Sequence, residues 1–229
     1  MDFYKQLPFA DGTFALTTTI TTPLVFRLEK NPLKTATLLP VHDPTQVPPA
    51  LLDLLHHEFN YIVEEGLTYP HHVTMTREEF IKYWFAHFVA ILIEGDHLSF
   101  AELHQQPPSY WNEVYLGNFY IKPNYIGRCS HVCNAGFLVN HQKRGLGLGK
   151  ELGKRYLAWA KQLGYAYSVF NLVFETNVAS LRIWDGLGFE RIGYVKNVAM
   201  LRGMDSLVGA YMFGKDLLEY TPDQEHVKA

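Results

Sequence analysis

Two hydrophobic periods alternate along the chain and predict a protein built from both helices and strands. Leu51, Leu55, Phe59 and Ile62 recur at steps of three or four residues, the period of an amphipathic helix, and Gly66 predicts its end. Other stretches are short, apolar and rich in β-branched or aromatic residues, which is typical of strands. Strands are predicted at residues 14–28, 35–41, 87–95, 115–125, 131–140, 167–175, 190–195 and 209–213.

Further helices are predicted between these strands. Thr76 with Glu79 three residues later is a capping-box signature for a second helix, and apolar positions at helical spacing predict a third over residues 148–163. Residues 177–189 predict a short last helix, whereas the proline pair at residues 107–108 is expected to lie in a loop. The predicted order is ββ–αα–βββ–α–β–α–ββ, an α/β (α+β) fold.

Composition and charge favour one sizeable domain with a small-molecule partner. Of 229 residues, 48% are hydrophobic and 19% are charged, and the net charge is −3. The sequence has no basic stripe, so we expect no nucleic-acid partner. Two cysteines are too few for a disulfide framework and suit a reducing compartment. The first residues lack a signal-peptide pattern, and the longest apolar run, residues 88–93, is too short to span a bilayer. We therefore expect a cytoplasmic protein without a membrane partner.

The clearest chemical signal is the glycine-rich stretch NHQKRGLGLGK, residues 140–150. A P-loop needs a hydroxyl after its lysine, but Lys150 is followed by Glu151. A dinucleotide fingerprint needs G-x-G-x-x-G, whereas Gly145, Gly147 and Gly149 alternate with leucines. Both of these nucleotide-binding motifs are excluded by spacing, and a plain glycine turn is one alternative.

Residues 142–147 fit the pattern Q/R-x-x-G-x-G/A and resemble the acyl-coenzyme A loop of the GNAT N-acetyltransferase superfamily. The chemistry is reasonable, because backbone N–H groups at a helix N-terminus attract phosphate and glycines allow it to approach closely. The later stretch NVASLRIWDGLGF resembles that family's N-x-x-A-x-x-L/I-Y-x-x-x-G-F block. It departs at Ser180, where alanine is usual, and at Trp184, where tyrosine is usual.

Several other stretches narrow the resemblance to the fungal azetidine-2-carboxylate N-acetyltransferases, which acetylate toxic proline analogues. They are TYP, YWF, FYIKPNY, RCSHVCNAGFLVN, FNLVFETN and RIWD, and the similarity covers about residues 35–217. It implies a mostly antiparallel, V-splayed sheet of about seven strands with helices on both faces, and a homodimer. Residues 1–34 are then an N-terminal β extension, residues 35–220 the acetyltransferase domain, and residues 221–229 a polar tail.

The resemblance also implies a set of site residues. Acetyl-CoA would lie between two diverging strands, with Asn177 and the backbone of Phe137, Leu138 and Val139 against its pantetheine. Its diphosphate would lie against the residues of the glycine loop, which are Gln142, Lys143, Arg144, Gly145, Leu146, Gly147, Leu148, Gly149 and Lys150. The amino-acid substrate would be held by the catalytic residues Asn134 and Asn171, with Phe137 and Tyr69 beside it. An alternative role for Asn177 is that of a helix N-cap. An alternative role for Asn171 is a purely structural hydrogen bond.

The implied reaction moves an acetyl group from acetyl-CoA to the secondary amine of a small cyclic imino acid. Glu175 is a candidate base acting through water, but the favoured interpretation of this residue is a solvated strand end. Lys122 and Arg128 are candidates for binding the substrate carboxylate, with surface charges as the alternative. Cys129, His131 and Cys133 are predicted to lie on one face of a strand. Three ligands in one line do not fit the tetrahedral geometry of a zinc site, so no metal is expected. The alternatives are another small-amine acetyltransferase and a non-catalytic acyl-CoA-binding module.

Overall fold

One mixed sheet of eight strands crosses the protein in a computed structural model, which describes residues 18–222. The strands lie side by side in the order β1-β2-β3-β4-β5-β6-β8-β7. They are β1 (Leu24–Leu28), β2 (Asn31–Val41), β3 (Phe88–Glu94), β4 (Tyr115–Pro123), β5 (Val132–Val139), β6 (Tyr167–Phe174), β7 (Glu190–Ala199) and β8 (Val208–Asp216). The α/β prediction is confirmed, and the sheet has the eight strands that the hydrophobic pattern predicts, one more than the seven implied by the family resemblance. The strand predicted at residues 14–28 begins only at Leu24, and its residues 14–17 lie outside the described part.

Within the described residues, five α-helices cover the two faces of this sheet. They are α1 (Pro49–Glu65), α2 (Arg77–Trp84), α3 (Pro108–Val114), α4 (Leu148–Gln162) and α5 (Val178–Gly186). Leu152 and Tyr156 of α4 join the core on one face, together with Trp184 of α5. Phe59 of α1 and Phe80 of α2 join the core on the other face. Helices on both faces are therefore confirmed.

The helix ends follow the local sequence signals with one exception. Gly66 adopts φ +70° after α1, and Thr76 forms the predicted capping box with Glu79 at the start of α2. The loop predicted around residues 107–108 is wrong, because α3 begins at Pro108. Proline is favourable in the first helical turn, and the buried Trp111 packs this short helix against the core.

The sheet splays at its centre. All neighbouring strands are antiparallel except β5 and β6, which pair in parallel only at Val132–Tyr167 and Cys133–Ser168. Beyond Cys133 the two strands diverge, while β5 stays paired with β4 as far as Val139. The V-shaped sheet is thus confirmed. No helix within residues 18–222 is long and apolar enough to cross a membrane.

Candidate active site

A cleft of about 770 Å³ opens where β5 and β6 diverge. Asn134, Gly136, Phe137 and Val139 line its β5 side, and residues 170–174 line its β6 side. Because β5 leads directly into the glycine loop, that loop lies at one end of the cleft and Asn134 lies toward the other.

The glycine loop places backbone amides at this end of the cleft. Gly145 and Gly147 both adopt φ +81°, a left-handed conformation that favours glycine, and Gly147 is the N-cap of α4. Leu148 and Gly149 open α4, so their N–H groups precede the helical hydrogen-bond ladder. These features fit a phosphate, since N–H groups at a helix N-terminus attract anions.

Three predicted loop residues do not line the cleft. Lys143 donates hydrogen bonds to the backbone carbonyls of Glu113 and Tyr115, the latter at 2.9 Å. Gln142 belongs to a 3-10 turn over His141–Lys143, and Leu146 has its side chain in solvent. Sequence spacing cannot separate these residues from their neighbours, because the folded turn decides which side chains face the cleft.

Other loop residues line the cleft and also have structural partners. The Arg144 guanidinium donates two hydrogen bonds to the Glu65 carboxylate, at 2.6 and 3.0 Å. At Gly149 a Cβ atom would lie 2.8 Å from Cδ1 of Ile183, so the missing side chain lets α5 pack closely on α4. Gly149 therefore serves helix packing, in contrast to the conformational need at positions 145 and 147.

The three predicted β5 residues differ in their exposure to the cleft. The Phe137 ring packs 5.0 Å from the Trp184 ring between centroids, and the Phe137 carbonyl accepts a hydrogen bond from Tyr69 at 3.2 Å. Val139 lines the cleft, whereas the Leu138 side chain is fully buried in the core. Past Cys133, none of the strands within residues 18–222 pairs with the β6-facing edge of β5, which leaves main-chain groups for an extended ligand such as pantetheine.

Three asparagines form a connected network at the other end of the cleft. Asn124 Oδ1 accepts hydrogen bonds from Asn134 Nδ2 at 3.0 Å and from Asn171 Nδ2 at 2.6 Å. Asn124 Nδ2 in turn donates to Asn171 Oδ1 at 3.2 Å. The structure thus brings the predicted Asn134 and Asn171 together through Asn124, a residue that sequence reasoning missed.

A bulge in β6 lies at Asn171. The pairing of β6 with β8 shifts between Phe170 and Val173, because two residues of β6 face one residue of β8. Bulges re-aim side chains, and this one lies where Asn171 lines the cleft in an otherwise apolar strand. Asn124 had a weaker sequence signal, since its only clue was the alternation with Tyr120 and Lys122 along β4.

Lys122 lies near the asparagines and is partly buried. Its Nζ lies 4.6 Å from the ring centroid of Tyr83 and 4.7 Å from that of Tyr120. Burial lowers the pKa of Lys122 below its ordinary value. Lys122 is also directly opposite Asn134 in the β4–β5 pairing, whereas Arg128 is exposed and outside the cleft.

The helix after β6 contributes Asn177 and Trp184 to the cleft. Asn177 is the N-cap of α5, and its Oδ1 accepts from the Ser180 N–H at 3.1 Å, which leaves Nδ2 as a donor toward the cleft. Trp184 occupies the position where the family pattern has tyrosine, and its ring packs 4.5 Å from that of Phe170. An indole N–H is a far weaker acid than a phenol, so Trp184 fills space without supplying a proton.

Glu175 does not line the cleft. Its carboxylate accepts hydrogen bonds from the Gly209 N–H and the Tyr194 hydroxyl, both at 2.8 Å, and these lower the pKa of Glu175. The carboxylate thus holds the exposed end of β6 to its neighbouring strands. Among the described cleft residues the one carboxylate is Glu65, which is paired with Arg144.

The predicted strand face of Cys129, His131 and Cys133 is wrong. Cys129 ends a 3-10 turn, and β5 begins only at Val132, because the chain makes a tight turn there. Burial raises the pKa of the Cys133 thiol to about 12, and this thiol lies 3.2 Å from the Tyr156 hydroxyl. Within residues 18–222, no three His, Cys, Asp or Glu side chains come together in a group that could hold a metal.

Comparison with known sequences agrees with this architecture. The model of the acetyltransferase (GNAT) family matches residues 49–189. N-acetyltransferase aca1 of Schizosaccharomyces pombe is 41% identical over 165 residues, which cover 71% of this chain and 78% of that protein. Protein SPT10 of Saccharomyces cerevisiae is 34% identical over 220 residues, which cover 81% of this chain but only 34% of SPT10.

Solved structures share the fold. A GCN5-related N-acetyltransferase from Kribbella flavida is 25% identical with a TM-score of 0.59, over 78% of this chain and 97% of that one. The yncA protein of Salmonella typhimurium, solved with acetyl-CoA, is 16% identical with a TM-score of 0.60, over 82% and 98% of the two chains. The family match spans more than half of the sequence, so the chain belongs to the acetyltransferase (GNAT) family and is an N-acetyltransferase that uses acetyl-CoA.

Proposed function

We propose that this enzyme acetylates the secondary amine of a small cyclic imino acid, such as azetidine-2-carboxylate, cis-4-hydroxyproline or a proline-related metabolite. Its role would be protection against toxic proline analogues. The observation that carries the proposal is Lys122, a partly buried cation in the cleft for which the described residues offer no carboxylate partner. Desolvation penalises an unpaired ammonium, and a substrate carboxylate would restore the lost stabilisation through a charge-assisted hydrogen bond.

The surroundings of Lys122 support a compact amino-acid substrate rather than a polycation. Tyr69, Tyr83 and Tyr120 enclose this end of the cleft, and no described carboxylate there would bind a second ammonium. A polyamine would be repelled by Lys122, because like charges at short range cost free energy. A zwitterionic imino acid instead offers its carboxylate to the lysine and its ring to the tyrosines.

The chemistry we propose is direct attack of the neutral amine on the acetyl carbonyl. Asn134 and Asn171 would position the amino acid, and the amine proton would leave through water relayed by Asn171, because no free carboxylate lines this end. The C–N bond forms, the C–S bond breaks, and coenzyme A leaves as a thiolate. A simple thiol has a pKa of about 8.5, so this leaving group needs little help from an acid.

The test is thiol release from acetyl-CoA with three amines: azetidine-2-carboxylate, azetidine, which lacks the carboxylate, and the polyamine spermidine. Lys122→Met should lower kcat/KM for azetidine-2-carboxylate roughly 10- to 100-fold, the value of a charged hydrogen bond, and leave azetidine unaffected. Lys82→Met, on the exposed side of α2, is the control. Equal use of both amines by the unmodified enzyme, or turnover of spermidine alone, would contradict an imino-acid substrate and favour another small amine.

We also propose a homodimer that works in the cytoplasm. β7 is one of the two edge strands of the described sheet, and it exposes the apolar residues Ile192, Tyr194, Val195 and Val198. An exposed apolar edge favours pairing with another chain. Val198→Lys should shift sedimentation from dimer to monomer, whereas a monomeric unmodified protein would contradict the dimer.

The proposed cytoplasmic location rests on the two unpaired cysteines, which suit a reducing compartment.

A further inference from the structure

The hairpin between β1 and β2 reaches the glycine loop, although 115 residues separate the contacting positions. Lys30, in the hairpin turn, donates a hydrogen bond from Nζ to the Gly145 carbonyl at 3.0 Å. Its side chain crosses Gly147 so closely that a Cβ atom there would lie 3.1 Å from Lys30 Cδ. Glycine at position 147 therefore leaves room for this lysine, and Lys30 itself lines the cleft.

Buried polar residues of α4 fix the position of this turn. The Glu151 carboxylate accepts from the Glu29 N–H at 2.7 Å and from Arg155 Nη1 at 2.6 Å. The Arg155 guanidinium lies 3.3 Å from the ring centroid of Phe26 in β1. Glu151 and Arg155 are each only 3% exposed, and buried charges require such partners, so the hairpin is held against α4 in one position.

Three cations line the loop end of the cleft and differ in their partners. Arg144 is paired with Glu65, and Lys150 is paired with Glu29 at 3.3 Å. Lys30 has no carboxylate partner within the described range, since its ammonium contacts a neutral carbonyl. The Lys30 ammonium thus lies beside the glycine loop, and Lys30 lines the same cleft as Leu148 and Gly149, the first residues of α4.

We propose that Lys30 contacts a phosphate group of coenzyme A, so that the β1–β2 hairpin forms part of the coenzyme site. An ammonium beside backbone N–H donors is a common arrangement for phosphate, and each such contact is charge-assisted. The family match begins at residue 49, so this hairpin lies outside the part of the chain that the family model describes. The inference concerns the coenzyme alone and is independent of the amine substrate.

The experiment is calorimetric binding of coenzyme A, 3′-dephospho-coenzyme A and pantetheine to three variants. Lys30→Met keeps the stem over Gly147 but removes the charge, and Lys30→Arg keeps the charge. Lys34→Met is the matched control, because Lys34 lies in the same hairpin and is paired with Glu94. We expect Lys30→Met to weaken coenzyme A binding roughly 5- to 30-fold, with Lys30→Arg and Lys34→Met near the unmodified protein.

The ligand series distinguishes the phosphates and can overturn the proposal. Equal weakening for coenzyme A and its dephospho form assigns Lys30 to the diphosphate, and weakening for coenzyme A alone assigns it to the ribose 3′-phosphate. Pantetheine, which carries no phosphate, should bind all variants equally. Unchanged coenzyme A affinity of Lys30→Met, or an equal loss for pantetheine, would show that the lysine only supports the loop.

Discussion

Asn124 is expected to position the two asparagines that hold the substrate. Asn124→Ala removes the acceptor of the hydrogen bond from Asn134, at 3.0 Å. It also removes both hydrogen bonds with Asn171, at 2.6 and 3.2 Å. Each neutral hydrogen bond contributes about 0.5–1.5 kcal/mol net. Water in the open cleft replaces part of that, so we expect the free energy of unfolding to fall by only about 1–2 kcal/mol. Loss of orientation at Asn171 should cost more, roughly 10- to 100-fold in kcat/KM for the amine.

The assay combines steady-state kinetics, thermal unfolding and coenzyme A binding. Coenzyme A affinity should not change, because Asn124 lies at the far end of the cleft from the glycine loop. Asn112→Ala, on the exposed side of α3, is the matched control. In a double-mutant cycle, adding Asn124→Ala to Asn171→Ala should cause little further loss, since the two act through one network. Fully additive losses of kcat/KM in the double variant would refute the positioning role. Unchanged activity of Asn124→Ala alone would also refute it.

Three further predictions concern residues around the cleft. Glu175→Gln should leave the pH–rate profile unchanged, and loss of its acidic limb would contradict this. The folded pKa of Glu175 is lowered, so its contribution to stability is present above the unfolded pKa and lost as pH falls through the folded value. Melting curves of variant and parent should therefore converge in acid. Thiol titration of the native protein at pH 8 should modify Cys129 alone, since Cys133 is buried with a pKa of about 12, and two rapidly reacting thiols would contradict that burial. Trp184→Ala should lower the free energy of unfolding by about 3–5 kcal/mol, as expected for a large buried aromatic, whereas a loss under 1 kcal/mol would show that the ring is not part of the core.

Local signals in the sequence predicted local structure well. The period of α1, the capping box at Thr76 and the glycine turn at residues 145–147 are each encoded within a few residues. The helix α3 was missed because prolines suggested a loop, and only the tertiary burial of Trp111 shows otherwise. Proline signals therefore mark a boundary without saying on which side the helix lies.

The candidate site was less accessible to sequence reasoning where it depends on long-range contacts. Asn134 and Asn171 followed from the family resemblance, but Asn124 joins them only because the end of β4 lies beside the first halves of β5 and β6. Lys30 carries no sequence signal, since its contact with Gly145 depends on how the first hairpin packs on α4. Gly149 is predicted to lie against the diphosphate, but Ile183 occupies the space that its side chain would take. Such residues are specified by packing, which a linear pattern does not contain.

We propose that the amides after β5 bind the coenzyme diphosphate, so that the acyl group reaches the gap between β5 and β6. A crystal structure of the complex with acetyl-CoA is the decisive measurement. We expect the diphosphate within hydrogen-bonding distance of the N–H groups of Gly145 to Gly149, and the acetyl group beside Asn134 and Asn171. A diphosphate bound away from this loop, or an acetyl group outside the gap between the two strands, would contradict it.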